Sequence, residues 1–180
     1  KMKKIVITGG LGYIGTELCK IYSGYSWNDK IIVIDNRFVS ERVNQIRNWN
    51  MDFIQGDILD KNLIKKYCSD ADVVHHLAGI TDVPRVKSES NELHDKKIKE
   101  VAEEGTQNIL DVIKDDCKII MPSSHVVYEG MEKVKNNIKE GDKTSPKLAY
   151  GKSKDFNEKQ LKVSGKNYII LRLGSVYGYS

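Results

Sequence analysis

Between the apolar run Ile5-Val6-Ile7 and a helical pattern stands Thr8-Gly9-Gly10-Leu11-Gly12-Tyr13-Ile14-Gly15, the stretch that most constrains the fold. Glycine carries no Cβ, so a glycine-rich turn closes tightly and lets a ligand approach the backbone. The helix beyond it offers unpaired N–H groups and a positive dipole end, a seat for phosphate. Two spacings fit at once, Gly10-x-Gly12-x-x-Gly15 and Gly9-x-x-Gly12-x-x-Gly15. By itself the cluster is also compatible with an ordinary glycine turn.

The context sharpens it. Lys30-Ile31-Ile32-Val33-Ile34-Asp35 is a second short apolar run that ends in a carboxylate. It lies about twenty residues past the last glycine, where a dinucleotide-binding βαβ unit places the group that holds the adenosine ribose hydroxyls. A carboxylate there repels a 2′-phosphate, which points to NAD rather than NADP. Arg37 pulls the other way, because an arginine close by can accept that phosphate. The plain alternative for Asp35 is a strand-end turn residue before Asn36.

Apolar runs recur along the chain with helical patterns between them, which reads as an α/β doubly wound parallel sheet, a Rossmann fold, of six or more strands. Strands are expected at 3–8, 31–35, 51–55, 71–77, 117–121 and 167–173. Helices are expected at 13–23, 40–49, 61–68, 91–114 and from Ser145-Pro146 to about Val163. Gly24 reads as a helix stop, and Ser145-Pro146 as a cap with proline just inside the helix. Gly105 interrupts the long fourth helix at a cost of about 1 kcal/mol against alanine, which close packing against the sheet would offset. The polar loop 80–90, with Pro84, opens at the carboxyl edge of the sheet, where ligands bind in this architecture. Residues 127–143 read as an irregular surface excursion. With no repeat or linker, residues 1–180 read as one domain.

Composition excludes several classes. Charged residues are 30% of the chain and apolar ones 39%, an ordinary balance for a soluble domain. The net charge of +4 is scattered, and Lys96, Lys97 and Lys99 alternate with acids, so nucleic acid is not an expected partner. No apolar run is long enough for a bilayer, and none at the N-terminus resembles a signal peptide. Cys19, Cys68 and Cys117 are odd in number and unpatterned, which suits reduced thiols and a cytoplasmic setting. No metal-ligand spacing appears, so no metal site is expected.

Tyr150 and Lys154 stand four apart on one expected helix and share a face. An ammonium beside a phenol favours the phenolate and lowers its pKa, which makes tyrosine a possible general base or acid. Ser123-Ser124 ends the preceding strand, and in a doubly wound sheet that strand end and this helix both border the cofactor cleft. Ser124 could then hold a substrate oxygen toward Tyr150. Base, cationic tuner and polar aligner together suit hydride transfer beside a nicotinamide.

The whole pattern resembles the extended short-chain dehydrogenases/reductases, the NAD-dependent epimerase/dehydratase family acting on nucleotide sugars. The resemblance rests on Thr8–Gly15, Asp35-Asn36, Gly56-Asp57-Ile58 and Val73-Val74-His75-His76-Leu77-Ala78-Gly79. It continues through Gly105-Thr106-Gln107-Asn108-Ile109-Leu110, Ser123–Tyr128, Tyr150-Gly151-Lys152-Ser153-Lys154 and Leu171–Gly178. It implies that Gly9, Gly12 and Gly15, with Tyr13 and Ile14 on the same turn, line the pyrophosphate. Asp35 and Asn36 would take the adenosine ribose, and Asp57 with Ile58 would border the adenine. Leu77, Ala78 and Gly79 would pass the nicotinamide half. Tyr150 would be the general base, Lys154 would also hold the nicotinamide ribose, and Ser124 would align the sugar hydroxyl. The implied partners are a nucleotide-sugar substrate and, at full length, a second copy docked through the helices that follow the fourth and fifth strands.

The sequence departs from that pattern in places. Glu129 separates Tyr128 from Gly130, Pro122 precedes the serines, Ala102 stands where asparagine is common, and Leu173 replaces a common proline. His125-Val126 follow Ser124 where sugar dehydratases carry an Asp-Glu pair, which favours epimerase over dehydratase. Family members continue into a smaller C-terminal substrate domain, so this chain is expected to be the cofactor domain alone, inactive by itself. The rival reading is a non-catalytic NAD-binding or redox-sensing protein on the same fold. The intact Ser124, Tyr150 and Lys154 set argues against it.

Overall fold

Strand order follows from crossover handedness and from which runs are apolar on both faces. The computed structural model describes residues 2–25, 28–81, 91–133 and 135–178. Its strands are β1 (Lys4–Thr8), β2 (Lys30–Asp35), β3 (Asp52–Gln55), β4 (Val73–His76), β5 (Lys118–Ser124) and β6 (Asn167–Leu173). Its helices are α1 (Tyr13–Ser23), α2 (Ser40–Asn48), α3 (Lys61–Cys68), α4 (Glu92–Leu110) and α5 (Ala149–Val163). The six strands form one parallel sheet in the order β3-β2-β1-β4-β5-β6. This is the doubly wound Rossmann arrangement, with its switch point between β1 and β4, where a crevice opens at the carboxyl ends of the strands.

Alternation along each strand sorts the core into two layers. Ile5 and Ile7 of β1 face Leu11, Cys19, Val43 and Ile46, the layer of α1 and α2. Val6 between them faces Ile64, Ile109 and Leu161, the layer of α3, α4 and α5. All three cysteines are free and buried in these layers. Burial pushes Cys19 and Cys68 up to about 12 and Cys117 up to about 11, so none is a ready nucleophile. Asp60 starts α3 by accepting from the Asn62 and Leu63 amides, and Asn91 starts α4 by accepting from the Leu93 and His94 amides.

Three expectations need correction. Ser145-Pro146 does not cap α5, which begins at Ala149 behind Leu148. The Ser145 backbone pairs instead with Val127 and Gly130, and the Glu129 carboxylate accepts from the Lys147 and Leu148 amides at 2.7 Å each. The carboxylate therefore serves the helix entrance from the neighbouring excursion. α4 stops at Leu110 rather than near Lys114. Gly105 is buried, but what presses on it is Ile58 of the β3–α3 loop rather than the sheet. Of the loop expected at 80–90, residues 82–90, Pro84 included, lie outside the described residues.

Candidate functional site

The glycine turn connects β1 to α1 at the switch point. Gly9 has φ +69°, a left-handed backbone that favours glycine, and its amide donates to the Ile34 carbonyl at 2.7 Å. A Cβ on Gly9 would stand 2.6 Å from the Ala78 nitrogen, and one on Gly15 would stand 2.5 Å from the Gly9 carbonyl oxygen. Gly12 is the N-cap of α1, no side chain caps that helix, and no acidic residue sits in its first turn. Gly9, Gly12, Tyr13, Ile14 and Gly15 line one cavity. Gly10 instead packs on Val33, so the Gly9-x-x-Gly12-x-x-Gly15 spacing is the one that faces the cavity. Open helix amides over a surface without side chains fit a pyrophosphate.

Asp35 ends β2 beside this turn. Its Oδ2 accepts from the Leu11 amide at 3.0 Å, and its Oδ1 accepts from the Arg37 amide at 3.0 Å and from Arg37 Nε at 3.3 Å. Asn36 Nδ2 donates to Asp57 Oδ2 at 3.2 Å, and the Leu59 amide donates to Asp57 Oδ1 at 3.0 Å. Asn108 Nδ2 donates to the Ile58 carbonyl at 3.0 Å, which ties this corner to α4. Asp35, Asn36, Asp57 and Ile58 all line the cavity. Leu77, Ala78 and Gly79 run along its other side and are held by a buried network. His76 Nδ1 meets Thr8 Oγ1 at 2.9 Å, His76 Nε2 meets Thr106 Oγ1 at 2.9 Å, and the Ala78 amide donates to Thr8 Oγ1 at 3.3 Å. Burial, helped by Lys154, pushes His76 down to about 3, so it works as a neutral bridge.

Ser124, Tyr150 and Lys154 line the same cavity. Strand alternation separates the two serines. Ser123 Oγ donates to buried Glu158 at 2.7 Å, while Ser124 accepts weakly from the Val126 amide at 3.4 Å. Glu158 in turn takes two hydrogen bonds from Arg172, at 2.8 Å and 2.6 Å. Lys154 Nζ lies 5.6 Å from the Tyr150 ring centroid and donates to the Pro122 carbonyl at 3.0 Å. Pro122, a departure by sequence, thus offers the carbonyl that fixes the lysine. The expected lowering of the Tyr150 pKa is not found. Burial raises it, and burial also pushes Lys154 down to about 8. The ammonium is aimed at a carbonyl, so desolvation outweighs its pull on the phenol.

The cavity measures about 580 Å³ and joins the glycine turn, the corner of Asp35, Asn36 and Asp57, and the Ser-Tyr-Lys group. That size and lining fit a dinucleotide. Sequence reading missed Lys97 and Val101, one turn apart on α4, and Leu173, Gly174 and Val176 after β6, all of which line it. The signal for Lys97 and Val101 was a shared helix face; Leu173, Gly174 and Val176 belong to the Leu171–Gly178 stretch of the resemblance, at the carboxyl end of a strand. Among the described residues no His, Cys, Asp or Glu cluster could hold a metal ion. Nor is any helix there long and apolar enough to cross a membrane.

Comparison with known proteins matches residues 5–180 to the NAD dependent epimerase/dehydratase family. UDP-glucose 4-epimerase of Neisseria meningitidis serogroup C is 30% identical over 178 residues, 89% of this chain and 48% of that protein. UDP-N-acetylglucosamine 4-epimerase of Methanobrevibacter ruminantium M1, solved with UDP-N-acetylmuramic acid, superposes with a TM-score of 0.77 at 28% identity. The match covers 96% of this chain and 55% of that one. UDP-glucose 4-epimerase of Brucella ovis, solved with NAD, superposes with a TM-score of 0.73 at 28% identity over 94% of this chain and 51% of that one. The chain spans about half the length of the relatives it matches.

Proposed function

Because this chain belongs to the NAD-dependent epimerase/dehydratase family, we propose that residues 1–180 act as the NAD-binding domain of a nucleotide-sugar epimerase. The observation that carries this reading is one cavity lined by Gly9, Gly12, Gly15 and Asp35 at one end and by Ser124, Tyr150 and Lys154 at the other. A protein that only binds or senses the dinucleotide leaves the second group without work. When bound, the cofactor supplies reversible hydride transfer at its nicotinamide.

The α1 amides and the glycine turn hold the pyrophosphate, and Asp35 takes the adenosine ribose. Ser124 accepts or donates a hydrogen bond to the sugar hydroxyl and holds it toward Tyr150. Tyr150 takes that hydroxyl's proton and later returns it. Burial raises the Tyr150 pKa in the free chain, so positive charge drawn into the cleft on binding is what favours the phenolate. Lys154, at about 8, is mostly protonated at neutral pH and can supply part of that charge while it binds the nicotinamide ribose. His125-Val126 after Ser124 favour epimerisation over dehydration. The full-length enzyme is read as a cytoplasmic homodimer through α4 and α5; within one chain these two helices already pack side by side, with Asn157 Nδ2 donating to the Ala102 carbonyl and Gln160 Nε2 to the Glu103 carbonyl.

In the full-length protein, Tyr150→Phe is expected to lower turnover by about 10²- to 10⁴-fold, the usual weight of a general acid–base group, with NAD affinity nearly unchanged. Steady-state epimerase assays with a panel of UDP- and dTDP-sugars, beside cofactor titration, measure both. Retained turnover removes Tyr150 as the base.

A further inference from the structure

The ribose corner is not the bare carboxylate that discriminates against a phosphorylated ribose. Asp35 is recessed, with its side chain 4% exposed, while the Arg37 side chain folded over it is 59% exposed. Both Asp35 oxygens are engaged, Oδ2 by the Leu11 amide and Oδ1 by the Arg37 amide and Nε. The second carboxylate at this end, Asp57, is likewise engaged by Asn36 and by the Leu59 amide. A second guanidinium stands on the glycine turn itself, where Arg42 Nη1 donates to the Leu11 carbonyl. Over Asp35 the outermost charge is therefore the Arg37 guanidinium. Among the described residues the Arg37 Nη groups make no hydrogen bond, and Arg37 lines the cavity.

We infer that this site accepts the 2′-phosphorylated dinucleotide, NADPH, as well as NADH, with Arg37 as the residue that holds the 2′-phosphate. A guanidinium offers a planar fork of N–H donors that matches a phosphate, whereas its half-exposed pairing with Asp35 is weak. Turning outward, Arg37 loses only the 3.3 Å Nε contact. Asp35 keeps the Leu11 and Arg37 amides, so the carboxylate stays satisfied and the corner keeps its shape. With the unphosphorylated ribose, Arg37 stays on Asp35 and the hydroxyls meet the remaining lone pair of Oδ2. One corner thus serves both ligands through one side-chain rotation. The inference rests on the cavity being the dinucleotide site.

Titration of NADH and of NADPH fluorescence against the full-length protein and its Arg37→Ala variant tests it. The NADPH and NADH Kd values are expected within about tenfold of each other in the wild type, and Arg37→Ala is expected to raise their ratio at least about tenfold by weakening NADPH alone. A wider wild-type gap against NADPH, or a ratio that Arg37→Ala leaves unchanged, overturns the inference while the NAD reading stands. Failure of both dinucleotides to bind overturns the cofactor reading and this inference with it. Arg37 is exposed and caps no helix, and matched circular dichroism of the two proteins confirms that the variant folds.

Discussion

Asp35 shows how much one side chain can carry and how its surroundings alter its meaning. Its place after β2 was legible from the spacing to Gly15, but its burial under Arg37 was not, because a side chain's exposure depends on neighbours outside its own run. Asp35→Ala is expected to weaken NADH about tenfold or more and NADPH less, since a charged hydrogen bond to the ribose is lost from one ligand only. Parallel calorimetric titrations give the comparison, and equal losses would show that Asp35 serves only to hold Leu11 and Arg37. Tyr150 and Lys154 were legible as a pair from their spacing of four. The direction of their pKa shifts was not, because desolvation is a property of the assembled cleft.

At the scale of elements, the junctions decide more than the helices and strands themselves. Arg172 of β6 makes a bidentate pair with Glu158 of α5, which is 1% exposed and also takes the Ser123 hydroxyl. This network ties β5, β6 and α5 together directly behind Ser124. Arg172→Ala removes the bidentate partner of the buried Glu158 carboxylate, which then keeps the Lys162 ammonium at 3.4 Å as its cation, and is expected to cost about 3 kcal/mol of unfolding free energy, measured by urea denaturation. Glu158→Gln, which keeps an acceptor for Ser123, is expected to cost less. Gly105 of α4 gives a second test. Alanine gains about 1 kcal/mol of helix propensity there, but its Cβ would meet Ile58, and overpacking of this kind costs about 1–3 kcal/mol. Gly105→Ala is expected to be net destabilising and to weaken NADH by displacing Ile58 from the cavity wall. A variant with unchanged melting temperature and Kd would show that the β3–α3 loop yields freely. Sequence suggested close packing at Gly105, but the partner was out of reach because Ile58 lies 47 residues away on another connection.

Across the whole molecule, the histidines of β4, His75 half-buried and His76 buried, make stability depend on pH. Burial pushes His75 down to about 4, and burial with Lys154 pushes His76 down to about 3. Both folded values lie below the ordinary value of 6.5, so the unfolded chain takes up protons that the folded chain refuses. Stability is full above pH 6.5 and falls as pH drops toward 4. At pH 5 the loss is on the order of 2 kcal/mol for His76 alone. Urea titrations at pH 7 and pH 5 measure it, and a flat result would show that the cleft opens to water more readily than its hydrogen bonds suggest. The sheet also leaves apolar surface open on its α1 side, where Ile169 of β6 is 38% exposed and Leu171 is 45% exposed. The sequence by itself determined the order of strands and helices along the chain, the glycine turn between β1 and α1, and Ser124, Tyr150 and Lys154 as candidates, because these depend on periodicity and short spacings along the chain. Tertiary structure alone decided which glycine spacing faces the cavity, which serine is spent on Glu158, that Pro122 offers Lys154 its carbonyl, and that Arg37 covers Asp35. Each of these is a contact or a desolvation between segments far apart in the chain, and such terms exist only once the sheet has brought the segments together.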